Sequence, residues 1–209
     1  EYKPANPSTA AMFIHGTTSL WNKSVYDPYV NMLRTTTELM AGAIAGSNSM
    51  SASPFDIAYN NPDNFSRRMA RNTQIILKEE SYFNKIADPA AGSYYIESLT
   101  DMIATRAWDI FREIESEGGF LEAIGKGIIR KSIEETAAKR DEDIARRTTV
   151  ILGTNQYPNG NEKMLEKIVK EPFRKYPGLH LYRRSGAFEE LRLSTEKYIA
   201  AGNKRPGVF

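Results

Sequence analysis

One pattern constrains the fold of this chain more than any other, and it occurs twice between residues 11 and 80. A short run of strand-forming residues meets a small-residue loop, and a helix signal follows. The first run, Ala11-Met12-Phe13-Ile14, leads into His15 and the patch Gly16-Thr17-Thr18-Ser19. The second, residues 49–55, alternates: Met50, Ala52 and Pro54 fall on one face, Ser49, Ser51 and Ser53 on the other. Proline cannot donate to a ladder, so Pro54 belongs at or beyond the strand end. The two units repeat at an interval of about 36 residues, which suits consecutive βα units of a parallel sheet. Polar side chains then sit at strand ends, where α/β barrels keep their chemistry. Two units cannot close a barrel, which takes eight. The remaining units are expected upstream, in a longer polypeptide of which this chain is an internal piece.

Punctuation sets the helices. Asp27-Pro28 predicts a start, with Asp27 as the cap and Pro28 at the first helical position. Val30, Leu33, Thr37, Met40, Ala41 and Ile44 share one face at helical spacing, and Gly46 is the expected stop. After the turn cluster Asn60-Asn61-Pro62-Asp63 a second helix is expected over 64–80, turning Phe65, Met69, Asn72, Thr73, Ile76 and Leu77 inward. Arg67, Arg68 and Arg71 crowd its first half, against the helix dipole. They read either as a solvated or carboxylate-paired face or as an anion or partner contact. Beyond the turn at 88–93, with Ser93 as a cap, a helix runs to about residue 117. Its stripe of Tyr95, Leu99, Met102, Ile103, Ile110 and Ile114, widened by Trp108 and Phe111, is expected to be core.

Gly118-Gly119 breaks the chain. A short helix is expected over 120–128 and a long one over 129–147, whose charges alternate in sign as on a solvated helix. Residues 149–153 read as a short extended segment, and 157–161 as a domain boundary. A polar linker with Pro172 and Pro177 follows. A helix over 186–201 should turn Phe188, Leu191, Thr195, Tyr198 and Ile199 inward, and residues 205–209 read as the start of a strand.

Composition excludes more than it assigns. The chain has 209 residues, a formal net charge of +2 and 41% hydrophobic residues. It is long enough for a core, and its charge argues for neither nucleic acid nor membrane. It has no cysteine, which removes disulfides and thiolate chemistry and suits a reducing, cytoplasmic setting. No apolar run reaches the ~18 residues of a membrane span. Only His15 and His180 could act as neutral-pH acids or bases. His180 lies in the polar linker. His15 could serve as a general acid, yet a histidine hydrogen-bonded at a strand end explains it equally well. No histidine or cysteine lies near it, which argues against zinc. Asp27 and Asp56 are accounted for by capping and turn roles.

Longer strings go further. His15-Gly16-Thr17-Thr18-Ser19, residues 26–35 (Tyr-Asp-Pro-Tyr-Val-Asn-Met-Leu-Arg-Thr), residues 65–77, Asp88-Pro89-Ala90-Ala91-Gly92-Ser93 and Gly153-Thr154-Asn155-Gln156-Tyr157-Pro158 resemble the adenosylcobalamin-dependent methylmalonyl-CoA mutase family. The likeness runs in order over about residues 11–160. It implies a fold class of α/β type: the last βα units of a TIM barrel (1–87), a helical and extended linker (88–185), and the start of a flavodoxin-like, cobalamin-binding-type domain (186–209). In that family the barrel binds acyl-CoA and encloses radical chemistry away from water.

Four polar positions depart from the family's active chains. Those chains carry His followed two residues later by Gln at the His15 block, facing the corrin; here the Gln is Thr17. A later block, approximately Ser-Leu-His-Thr-Asn-Ser-Phe-Asp-Glu, reads here with Ser51 for His, Ser53 for Asn and Ile57 for Glu. A ribose hydroxyl meeting Ile57 in place of a carboxylate loses a charge-assisted hydrogen bond, about 1.5–3 kcal/mol.

The pattern is most similar to the small subunit of the heterodimeric bacterial mutases. It implies a structural, non-catalytic chain paired with a large catalytic subunit that holds the adenosylcobalamin. No catalytic residue is then expected here, and His15 is the one cofactor-binding candidate. A catalytic chain with altered acyl-CoA preference is the alternative.

Overall fold

The computed structural model describes residues 5–169, 175–176, 179–180 and 183–205. All but Arg205 of the expected strand start at 205–209, and part of the polar linker, with Pro172 and Pro177, lie outside them. Two compact units result, one holding residues 1–87 and 151–209, the other Asp88–Val150. The architecture is helix-dominated α/β with a small parallel sheet.

In the first unit β1 (His15–Thr17) pairs in parallel with β2 (Ser49–Ser51), and the register sets His15 opposite Ser49 and Thr17 opposite Ser51. α1 (Val30–Ile44) connects them. The strand falls later than the apolar run at 11–14 suggested. The residues opposite that run are the turn that ends α1, so the ladder begins only where the Ile14 carbonyl accepts the Asn48 and Ser49 amides at 2.9 and 3.3 Å. Met12 and Phe13 are exposed. Pro54 lies beyond β2, as a residue without an N–H should.

α1 also starts later than Asp27-Pro28 predicted. Its cap position is Tyr29, without a side-chain bond. Asp27 is instead in the left-handed region, at φ 51°, and its carbonyl accepts the Val30 amide at 3.1 Å. The buried face of α1 is Asn31, Thr35 and Leu39, not the apolar stripe; Leu33 and Ile44 are exposed. α2 (Asn64–Ile75) opens with a capping box between Asp63 and Ser66 and continues into a π-helical turn, Ile76–Glu80. Ser66, Ala70 and Leu77 are buried, while Phe65 and Ile76 are exposed. Phe65 still meets Phe55 edge-on at 6.2 Å between ring centroids.

α6 (Gly186–Ala200) closes the same unit. Five further elements lie between α2 and α6: α3 (Tyr94–Ser116), α4 (Phe120–Gly125), α5 (Ile128–Ala145), and an antiparallel pair, β3 (Lys175–Tyr176) and β4 (Leu179–His180). The core of the first unit is Val25, Tyr26, Ala58, Met164 and Leu193, with Tyr59 and Ile168 against it. The inward face of α6 is Glu189 and Leu193; Leu191 and Tyr198 are exposed.

The second unit is α3, α4 and α5, separated by glycines at positive φ: Gly118, Gly119 and Gly127. Ala123 of α4 and Ile144 of α5 are buried. The α3 stripe is not: no residue of that helix is buried. Trp108 and Phe111 stack on each other at 5.1 Å. α5 carries exposed i,i+4 pairs, Lys131 with Glu135 and Glu142 with Arg146, as its alternating charges suggested.

Candidate functional site

Strand pleating puts alternate residues on one face, so His15, Thr17, Ser49 and Ser51 share the polar side of the β1–β2 pair. Gly16 and Met50 face the other way, toward α1. There Gly42 leaves room for the Met50 side chain, since a Cβ on Gly42 would overlap Met50 Cε. His15 is exposed. Its ring is bridged by β2: Ser49 Oγ lies 2.6 Å from Nδ1 and Ser51 Oγ 3.2 Å from Nε2. Past the strand ends the link continues through Thr18, which is buried. Its amide donates to the Ser51 carbonyl at 3.1 Å and its Oγ1 accepts the Ser53 amide at 2.8 Å. Ile57 is half-buried.

The loop that follows β1 is held by charged and amide side chains as well as by the apolar packing of Val25 and Tyr26. Glu38 of α1 accepts the Ser19 amide at 3.0 Å, Asn22 Nδ2 at 3.1 Å and Lys23 Nζ at 2.9 Å. Burial depresses the Lys23 pKa, and Glu38 partly offsets that. Asn31 accepts the Ser24 amide and donates to the Ser24 and Phe55 carbonyls, at 3.0, 2.8 and 2.9 Å. Arg34 donates at 2.7 Å to Ser24 Oγ, Asn31 Oδ1 and the Leu152 carbonyl.

Carboxylates from the C-terminal segment finish the job. Glu189 accepts the Val25 amide at 2.7 Å and pairs with buried Arg183, which donates to the Lys23 carbonyl at 2.9 Å. Glu196 accepts the Tyr26 hydroxyl at 2.7 Å and the Leu165 amide at 2.8 Å. Glu162 accepts the Asp27 amide at 2.7 Å. Gly153 packs so closely on Asp27 that a Cβ there would lie 2.8 Å from Asp27 Cβ.

Asp27 therefore acts through its backbone, whereas Asp56 also uses its side chain, whose Oδ2 accepts Asn60 Nδ2 at 3.3 Å. The Asp56 carbonyl accepts the Tyr59 and Asn60 amides at 3.1 and 2.9 Å. Its buried Oδ1 has no hydrogen-bond partner among the described residues. Burial and then the Asp56 charge push Tyr59 up to about 12.

Arg67 and Arg71 line a hollow of about 390 Å³ with Ser51, Pro54 and Gln74. No carboxylate pairs with Arg67, Arg68 or Arg71 among the described residues. No group of three His, Cys, Asp or Glu gathers among the described residues. With both ring nitrogens of His15 engaged, the polar face fits hydrogen bonding through hydroxyls and does not fit metal ligation. No helix among the described residues is long and apolar enough to cross a membrane.

Sequence reasoning singled out His15 and missed Asn31, Arg34, Glu38, Glu162, Arg183, Glu189 and Glu196. Asn31 and Arg34 stand three apart on α1, and Glu189 and Glu196 seven apart on α6. Each spacing puts a pair on one helix face, and that was the available signal.

Comparison with known proteins extends this picture. The family model described as methylmalonyl-CoA mutase matches residues 1–175. The chain is 44% identical over 208 residues to the methylmalonyl-CoA mutase small subunit of Porphyromonas gingivalis, covering 96% of this chain and 33% of that protein. It is 40% identical over 205 residues to the small subunit of Streptomyces virginiae, covering 97% of this chain and 33% of that protein. It is 43% identical over 157 residues to the methylmalonyl-CoA mutase of Escherichia coli, covering 75% of this chain and 22% of that protein. The chain thus spans about a third of the length of the small subunits it matches.

Proposed function

The chain belongs to the methylmalonyl-CoA mutase family, and from that premise we propose that it is part of a small subunit whose role in the mutase is structural. The observation that carries this reading is the reach of the similarity. Relatives named small subunits match 96–98% of the chain, whereas mutases named without a subunit match 75–79%. The altered polar positions support it. The Ser51 hydroxyl meets His15 Nε2 and the Ser53 hydroxyl donates to the Thr18 carbonyl at 3.4 Å, both within the chain, and Ile57 offers no carboxylate.

In this reading residues 1–87 are the closing βα units of a TIM barrel, which the parallel β1–α1–β2 connection supports. Residues 88–185 are the linker, and 186–209 open a flavodoxin-like domain. The polar face with His15 corresponds to the side that the family's catalytic chains turn to cofactor and acyl-CoA. Adenosylcobalamin, held by a large catalytic subunit, supplies the radical for isomerising methylmalonyl-CoA and succinyl-CoA. This chain's residues shape the fold and leave the reacting atoms alone. The setting is cytoplasmic.

The test is an isomerisation assay on the purified full-length chain, freed of any partner. No turnover of methylmalonyl-CoA is expected, with activity appearing on addition of the large subunit. Turnover by the lone chain would overturn the reading and favour a catalytic chain.

A further inference from the structure

His15 lies on an exposed face, yet both of its ring nitrogens are engaged by the neighbouring strand. The register accounts for this. Parallel pairing sets His15 opposite Ser49 and leaves Ser51 two residues further along the same face, so the two hydroxyls flank one imidazole. Ser49 Oγ is 2.6 Å from Nδ1 and Ser51 Oγ is 3.2 Å from Nε2. A neutral imidazole has one N–H and one bare nitrogen, and a hydroxyl both donates and accepts. Either tautomer is therefore satisfied by the same pair of serines.

We propose that Ser49 and Ser51 are positioning residues that fasten the His15 ring across the strand pair. Any molecule packed on that face then meets the ring's carbon edge and π face, not a nitrogen. Ser51 is the residue that closes the arrangement, because without its hydroxyl Nε2 faces outward on an exposed surface. This deepens the structural-partner reading and rests on it only for what lies on that face; the fastening stands on the strand register and the two distances.

The experiment is residue-resolved modification of the full-length chain by diethyl pyrocarbonate, which acylates a histidine nitrogen with a free lone pair. His15 is expected to react slowly in the wild type. Ser51→Ala should raise its rate about three- to tenfold, the equivalent of one lost hydrogen bond. Ser51→Thr keeps the hydroxyl and should restore the slow rate, which a purely structural role for Ser51 would not require. Ser51→Cys preserves the shape with a weaker partner, and should react faster than wild type even if the alanine variant fails to fold.

Wild-type His15 reacting as fast as it does in Ser51→Ala and Ser51→Cys would overturn the proposal. The same samples titrated with adenosylcobalamin separate the two ideas. Binding by the lone chain would remove the structural-partner reading, while the fastening is decided by the rates measured without cofactor.

Discussion

Glu189 ties α6 to the loop after β1. It is fully buried, accepts the Val25 amide and neutralises Arg183, which in turn holds the Lys23 carbonyl. Removing one partner of such a pair leaves a buried charge uncompensated. Glu189→Ala should lower the unfolding free energy by about 3–5 kcal/mol, read by denaturant titration. Tyr59 gives a pH prediction. Its pKa is pushed up to about 12 from 10.0, by burial and then by Asp56. The phenol is therefore held neutral in the folded state after it would have ionised in the unfolded chain. Stability from this group is fully present below pH 10 and is lost as pH rises from 10 to about 12. Tyr59→Phe should flatten that loss, and Asp56→Asn should bring the tyrosine's absorbance titration down toward 10.

At this scale the sequence was least legible. Asn31 and Glu189 look like solvent-facing residues to any apolar pattern, because hydrogen-bonded burial leaves no trace in hydropathy. His15 stood out because histidine is rare here and sits at a strand end; its serine partners became visible only with the register.

Among the elements, the close approach of the 151–156 segment to the turn before α1 depends on glycine. Gly153 has φ +76°, and a Cβ there would press on Asp27. Gly153→Ala should cost about 2–4 kcal/mol, combining left-handed strain with overpacking. Gly46 also has positive φ, +77°, but nothing lies within 4 Å of a Cβ there. Gly46→Ala should cost only about 1 kcal/mol. Equal losses in thermal or denaturant unfolding would show that the Asp27 contact does not matter.

The helices were legible as elements: α2 fell within the expected 64–80, and α5 within a residue or two of 129–147. Their buried faces were not. α1 buries Asn31 and Thr35 while Leu33 is exposed, because its inward side meets backbone groups that need partners. The first strand was misplaced because an apolar run marks where a strand could form, whereas pairing depends on where the opposite chain is extended.

For the whole molecule, the family was legible from unbroken strings such as residues 65–77, and the parallel pair from the repeated strand–loop–helix unit. The loop after β1 is fastened across long separations in sequence, to Glu162 and Glu189 as well as to Glu38 and Asn31 of α1. The proposed structural role implies that a mutase small subunit does not hold the cofactor by itself. The direct measurement is an absorbance titration of the purified full-length chain with adenosylcobalamin, alone and with a mutase large subunit. Binding only when the large subunit is present is the predicted result. Stoichiometric binding by the chain alone would contradict it.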